Sequence, residues 1–178
     1  FPGLVTLAGK IGDAAVRNRG TIGGSLANND PAACYPAAVL SAGATILTNI
    51  REISSDDFFQ GMFETALEEG EIILSVQFPV PALSSYQKFV QPASRFAMVG
   101  VFLSKFDNGT RVAVTGASEE GVYRWREAEV ALNENFSEAA LNNLSIASEG
   151  MISDIHASKE YRAHLVKVMT KRAIISAS

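Results

Sequence analysis

The sequence is poor in cysteine, in clustered positive charge and in long apolar runs, and each shortage removes a class of function. Its one cysteine, Cys34, has no intrachain disulfide partner, which fits a reducing compartment. One thiol also cannot hold an iron–sulfur cluster, which takes about four thiolates. No apolar run reaches the roughly 18 residues of a membrane span. Phe1–Lys10 lacks the charged segment and apolar core of a signal peptide, so a cytoplasmic location is expected. There is no Lys/Arg-rich run and the net charge is −4, which argues against nucleic acid as the main partner. What remains is globular in composition: 47% hydrophobic and 19% charged residues in a chain of 178, enough for one ordinary domain or two small ones.

The richest stretch is RNRGTIGGSLANNDPAACYPAA, Arg17–Ala38. A plain turn needs one glycine; here Gly23 and Gly24 follow Thr21-Ile22 and precede Ser25. Glycine lets a ligand approach bare backbone amides and permits positive φ. Free amides leading into a helix suit an anion. Thr21 and Ser25 add hydroxyls, and Asn28 and Asn29 add amides, without adding charge. Such a set suits the pyrophosphate and ribose of a dinucleotide, although it is neither G-x-G-x-x-G nor a phosphate loop with its lysine. By spacing alone, a tight turn before a capped helix explains it equally well.

Along the chain, Asp30 and Pro31 read as the N-cap and first residue of a helix ending near Ala42, with Gly43 as its stop. Ala44–Asn49 reads as a strand. DDFFQGMFETAL reads as a short helix interrupted by Gly61, and Glu71–Pro81 as a strand ended by prolines. The segment ALSSYQK, from Ala82, is the expected boundary between units 1–81 and 84–178. Arg95–Phe106 and Thr110–Ser118 form a hairpin about Asp107-Asn108-Gly109, and Gly121–Trp125 is a third strand. REAEVALN and SEAALNNL, the latter capped by Ser137, are short helices. A last helix, Ser158–Ile175, carries Tyr161, Leu165, Val168, Met169 and Ala173 on one face. Arg162, Lys167, Lys171 and Arg172 occupy its other positions.

Other candidates have plain structural readings that serve better. His156, Glu160 and His164 recur at helical spacing, but two turns are too long for three ligands to converge on a metal. Cys34 at a helix start could be a reactive thiol; a small buried hydrophobe is the simpler reading. Asp56-Asp57 and Glu68-Glu69 are adjacent in sequence, diverge, and read as solvated surface. Trp125 reads as core or rim.

The stretch from Arg17 to Ala44, with EIILSVQFPVP, SRFAMVGVFLSK, RVAVTGAS and SDIHASKEYRAHL in the same order, resembles the FAD-binding medium subunit of molybdenum hydroxylases, the family of aerobic carbon monoxide dehydrogenase and xanthine dehydrogenase. The resemblance covers essentially all 178 residues, and it is most specific in T-I-G-G with D-P-A-A. It implies an α+β fold: the C-terminal part of an FAD-binding domain, then a small antiparallel sheet, three-stranded, packed on helices. It implies that Thr21, Ile22, Gly23, Gly24 and Ser25 form a loop against FAD, flanked by Asn28 and Asp30. Phe96 would lie near the flavin ring, and Lys88 is a candidate contact. Many relatives carry an acidic residue where Cys34 stands. The family has an earlier glycine-rich stretch that cradles the FAD phosphates and is not among these residues, so poor FAD binding, or none, is the expectation for them alone. Molybdenum cofactor and 2Fe–2S clusters would reside in a large and a small partner subunit, commonly as a dimer of heterotrimers, with electrons leaving through FAD. No residue here is expected to be catalytic or to bind metal. The alternative is a non-catalytic docking module whose glycines are purely structural.

Overall fold

The computed structural model describes residues 1–177. Four helices come first: α1 (Pro2–Gly9), α2 (Ala14–Arg19), α3 (Ile22–Asn28) and α4 (Tyr35–Ala42). Three short antiparallel strands follow in the order β2-β1-β5, from β1 (Thr45–Thr48), β2 (Glu52–Ser54) and β5 (Ile73–Gln77). Between β2 and β5 lie one turn of helix, α5 (Ser55–Phe58), and a small hairpin of β3 (Phe59–Gly61) and β4 (Glu64–Thr65). The expected helix over DDFFQGMFETAL is therefore one turn plus a hairpin. Phe63 takes a left-handed φ of 58° at the hairpin's tip, which a helix cannot accommodate.

The second half is a meander of β6 (Leu83–Val90), β7 (Ala97–Phe106), β8 (Gly109–Ser118) and β9 (Gly121–Arg124). The sheet has four strands, not the expected three, because the serine-rich boundary segment is β6. Ser84 and Ser85 are buried within it, and the Ser84 hydroxyl accepts from the Gly3 amide at 2.9 Å. Gly3 permits that approach: a Cβ there would lie 2.9 Å from Phe102 and 3.0 Å from Ser84. The expected division near residue 81 falls between β5 and β6.

Helices cover both faces of this sheet. Val101, Leu103, Val112 and Val114 point to α6 (Arg126–Glu134) and α7 (Lys159–Ile175). Phe102, Ala113 and Tyr86 point to α1 and α4, where Leu7, Ala37, Ala38 and Leu40 meet them. That is why β7 reads as a continuous apolar run rather than an alternating one. Small residues let α4 lie close: Ser41 Oγ sits 3.0 Å from both Ser104 Oγ and the Arg111 carbonyl. A third apolar cluster, with Leu26, Val39, Ile46 and Phe58, underlies the first small sheet.

Helix α7, expected from Ser158, starts at Lys159 with Ser158 as its cap, and buries Leu165, Met169 and Ala173. Tyr161 sits at the margin, 43% exposed, edge-on to Phe89. Arg162 departs from expectation: it is fully buried. SEAALNNL is a single 3₁₀ turn, Glu138–Leu141, in which Ser137 makes no side-chain cap. Trp125 is core.

Candidate functional site

The helix α4 begins later than expected. Its first-turn proline is Pro36, and Cys34 occupies the cap position without a side-chain cap bond. Asp30 instead accepts from the Ala32 amide at 2.8 Å and closes a local turn of the Asx kind. The Asp30–Cys34 segment is therefore a tight turn that lines a cleft, not the first turn of the helix.

The glycine stretch departs in the opposite sense. It is not a loop: Thr21 caps α3, accepting from the Gly24 amide at 3.0 Å, and both glycines lie in the first turn. Neither has positive φ, so the reason for glycine is room. A Cβ on Gly24 would find only Thr21 Oγ1 nearby, at 3.1 Å, and the space it would enter belongs to a cleft. Gly23 is turned away, toward Ile73, which a Cβ would meet at 3.7 Å. The amides of Ile22 and Gly23, at the start of the helix, have no intrahelical acceptor.

That cleft holds roughly 530 Å³, within the range of small-molecule sites. The structure brings Thr21, Ile22, Gly24, Ser25, Asn28, Asp30 and Phe96 together along it and leaves Gly23 out. Asn29 is not part of it. This residue is buried, ends α3 with a left-handed φ of 43°, and donates to the Gly61 and Glu64 carbonyls at 2.7 and 2.9 Å. Its amide pins the β3–β4 hairpin.

Cations the sequence reading passed over complete the cleft. Arg17 and Arg19 come from α2, whose start is capped by Asp13, and Arg95 comes from the turn before β7. With Lys88 on β6 they face two carboxylates, Asp13 and Asp30. None of these four cations is in an ion pair among the described residues. The letters RNR beside TIGG were the available signal. In an acidic protein, unpaired cations lining one concavity mark a place for an anion.

At one end of the cleft the Lys88 ammonium bonds the Lys10 carbonyl at 2.7 Å and lies 3.6 Å from Cys34 Sγ. Lys10 bonds the Tyr86 carbonyl at 3.3 Å; burial, then the charge of Lys88, lowers its pKa. The Tyr86 hydroxyl is buried beside Cys34 without a hydrogen-bond partner. Burial, with Cys34 adding to it, pushes that phenol well up, so it stays neutral. Cys34 is 8% exposed, as a small buried hydrophobe would be, yet it lines the cleft.

No group of three or more His, Cys, Asp or Glu able to hold a metal occurs among the described residues. His156, Glu160 and His164 are exposed and separate.

An α+β fold with a cation-lined cleft suits the class of proteins that bind an anionic cofactor, and comparison with known proteins narrows it. Residues 1–81 match the family described as FAD binding domain in molybdopterin dehydrogenase. Over 98% of its length the chain is 35% identical to the nicotine 6-hydroxylase medium subunit of Paenarthrobacter nicotinovorans, covering 66% of that protein. It is 31% identical to the glyceraldehyde dehydrogenase medium chain of Sulfolobus acidocaldarius over 92% of itself and 63% of that chain. The structure superposes on carbon monoxide dehydrogenase from Oligotropha carboxidovorans with a TM-score of 0.86, at 26% identity, covering 98% of this chain and 66% of that one. Residues 1–81 belong to that FAD-binding domain family, and over nearly its whole length the chain is similar to the medium subunits of such enzymes. It spans just under two thirds of the length of the first two relatives. Nothing in these matches favours the docking-module alternative.

Proposed function

We propose that the chain holds FAD in this cleft as part of the medium subunit of a molybdenum hydroxylase complex. The observation that carries the reading is the pairing of open space at Gly24 with four unpaired cations on the same concavity. An uncharged hydroxyl-and-amide floor under a cationic rim suits a pyrophosphate linked to a ribose. When bound, FAD supplies a carrier that accepts two electrons and releases them singly or together.

This chain's own residues bind and orient. Arg17, Arg19 and Arg95 neutralise phosphate charge. Thr21 keeps the first turn of α3 open by capping it, Ser25 and Asn28 offer neutral hydrogen bonds, and Phe96, 43% exposed, offers an aromatic edge to the ring. Substrate oxidation belongs to a large subunit carrying the molybdenum cofactor. A small subunit carrying 2Fe–2S clusters relays the electrons, and an external acceptor receives them. The names of the relatives, medium subunit and medium chain, support such partners. A cytoplasmic setting agrees with the absence, among the described residues, of any helix able to cross a membrane.

Titration of FAD into the purified protein, followed by quenching of flavin fluorescence and repeated with ADP as competitor, tests the reading. Saturable binding that ADP displaces, and that weakens about tenfold in Arg17→Ala/Arg19→Ala with reduced salt dependence, supports it. Binding indifferent to those arginines and to salt removes the cleft as the phosphate site.

A further inference from the structure

Helix α7 acts on the cleft without lining it. Its Arg162 is 1% exposed. The guanidinium donates through Nη1 to the Met98 and Gly116 carbonyls, both at 2.7 Å, and through Nη2 to Asp154 Oδ2 at 2.6 Å. Burying such a group is costly, and a well-packed apolar side chain commonly serves stability as well or better. Here Nε is even left without a partner. Packing alone does not account for an arginine.

Its location does. The β7–β8 ladder runs from Phe106↔Gly109 to Gly100↔Thr115 and stops. There Gly116 turns away with φ 81°, and a Cβ on it would lie 2.6 Å from the Ala97 carbonyl and 2.7 Å from that of Met98. The guanidinium stands at this fork and ties one strand to the other. Each strand then leads to a different wall of the cleft. Met98 is two residues from Phe96. The Gly116 amide, freed from the ladder, donates to the Pro31 carbonyl at 2.7 Å. The Thr115 hydroxyl lies 2.6 Å from the same carbonyl and 2.8 Å from that of Ala33.

We propose that Arg162, oriented by Asp154, is a positioning residue that fixes the separation of the Phe96 wall from the Asp30–Cys34 wall. It thereby sets how tightly the cleft closes on its cofactor. The inference rests on the reading of this cleft as the FAD site. Its mechanical half, the bracing of the two walls, is testable without FAD.

The variants are Arg162→Met, Arg162→Lys and Asp154→Asn, with Val166→Ala as a control that removes buried volume from the same helix. Asp154→Asn keeps an oxygen for the His156 and Ala157 amides, which Oδ1 now accepts at 2.9 and 3.0 Å, and it keeps the test open should Arg162→Met fail to fold. The first readout is the rate at which a thiol reagent labels Cys34, the sole cysteine, below the onset of unfolding. Labelling about tenfold faster is expected in Arg162→Met and Asp154→Asn, an intermediate rate in Arg162→Lys, and a near wild-type rate in Val166→Ala at a similar loss of Tm. The second readout is the FAD Kd with the visible circular dichroism of the bound flavin. A Kd raised about tenfold and a changed band are expected in the same order of variants. Wild-type labelling in Arg162→Met and Asp154→Asn overturns the proposal, as does equal acceleration in Val166→Ala. Accelerated labelling with an unchanged Kd and band overturns the claim on cofactor fit. Failure to bind FAD in a protein that also carries the family's earlier glycine-rich stretch counts against the cleft reading instead, and the labelling result still decides whether Arg162 braces the walls.

Discussion

Arginines gather at two places in this molecule, and among the described residues only one of the two groups is held in ion pairs. At the junction of the two halves, Asp56 on α5 receives Arg111 of β8 at 2.9 Å and Arg124 of β9 at 3.1 Å. Arg126 stands 3.6 Å away. Arg124 also grips Glu129 of α6 at 2.6 Å, and Arg111 bonds the last turn of α4 through the Leu40 carbonyl at 2.8 Å. Burial pushes the Asp56 pKa up, but hydrogen bonds from Arg111 and then Arg124 hold it below the ordinary value. At the cleft, Arg17, Arg19, Arg95 and Lys88 have no such partners. The first group is spent on joining strands and helices. The second, on the function proposed above, keeps its charge for the cofactor's phosphates. Asp56 also shows why adjacent carboxylates need not be idle surface: it clasps the two halves, whereas the Asp57 carboxylate, among the described residues, accepts only from its own cap, Ser54.

The sharpest way to test the partnered side is Glu129→Ala. Glu129 is 5% exposed and accepts from the Val112 amide at 2.9 Å as well as from Arg124. Its removal leaves the buried Val112 amide unpaired and the nearly buried Arg124 with Asp56 alone, a loss of about 3 kcal/mol. Urea denaturation measures it. FAD affinity of the folded fraction is expected to stay within about twofold, and a selective loss of affinity would erase the contrast between the two sites.

Gly24→Val breaks the other side. The valine methyls enter the cleft rather than the core, because the chain itself offers a Cβ only Thr21 Oγ1 as a neighbour. FAD binding is expected to fall at least about a hundredfold, or about 2.7 kcal/mol, while stability shifts by less than about 1 kcal/mol. Retained affinity in a folded variant would show that the space at Gly24 is not cofactor space.

Another ion pair, Arg51 with Glu71 at 3.0 Å, sharpens the comparison through pH. Hydrogen bonds from Arg51, then from the Glu68 amide, hold Glu71 down to about 2 against the opposing effect of burial. Thr48 adds a bond of 2.7 Å. A carboxyl depressed in the folded state stabilises above its unfolded pKa, near 4.5, and that contribution is lost as pH falls toward 2. Melting of the wild type and Glu71→Gln across that window should show a Tm gap at pH 6 that closes on acidification. A gap independent of pH would mean that the neutral geometry, not the charge, matters.

What could be read in advance follows the same division. The β7–β8 hairpin and α7 were legible because alternation, a turn signal and helical spacing are local. Helices α1 and α2 were not: α2 has six residues, too few for a periodic signature, and α1 is apolar nearly all round. The start of α4 was misplaced because Asp30-Pro31 and Cys34-Tyr35-Pro36 offer two starts, and only tertiary bonds from Thr115 and Gly116 hold the first open. Seven of the eight expected cofactor residues share the cleft, but Arg17, Arg19 and Arg95 went unread, since an isolated surface arginine usually carries no message. Arg162 was illegible in principle: a buried cation looks, in sequence, like any other cation on a helix.

The smallest effect expected is that of Cys34→Ala. The thiol lines the cleft, lies 3.6 Å from Lys88 and stands where many relatives carry an acid, so a cofactor contact is a natural thought. The geometry points elsewhere. With 8% exposure the side chain is packed with Ala37, Ala38 and Tyr86 in the core between α4 and the sheet. Alanine removes one sulfur from that core, a cost of about 1 kcal/mol. Lys88 keeps its shorter bond to the Lys10 carbonyl, and the unpartnered Tyr86 hydroxyl, neutral at working pH, gains no charge to disturb the cleft. FAD affinity is therefore expected to change by less than about threefold, with a Tm lowered by a few degrees. Loss of flavin without loss of stability would show that the sulfur substitutes for the acid as a contact. Retention would leave Cys34 as a silent reporter, which is the property that makes its labelling rate informative about the wall it belongs to.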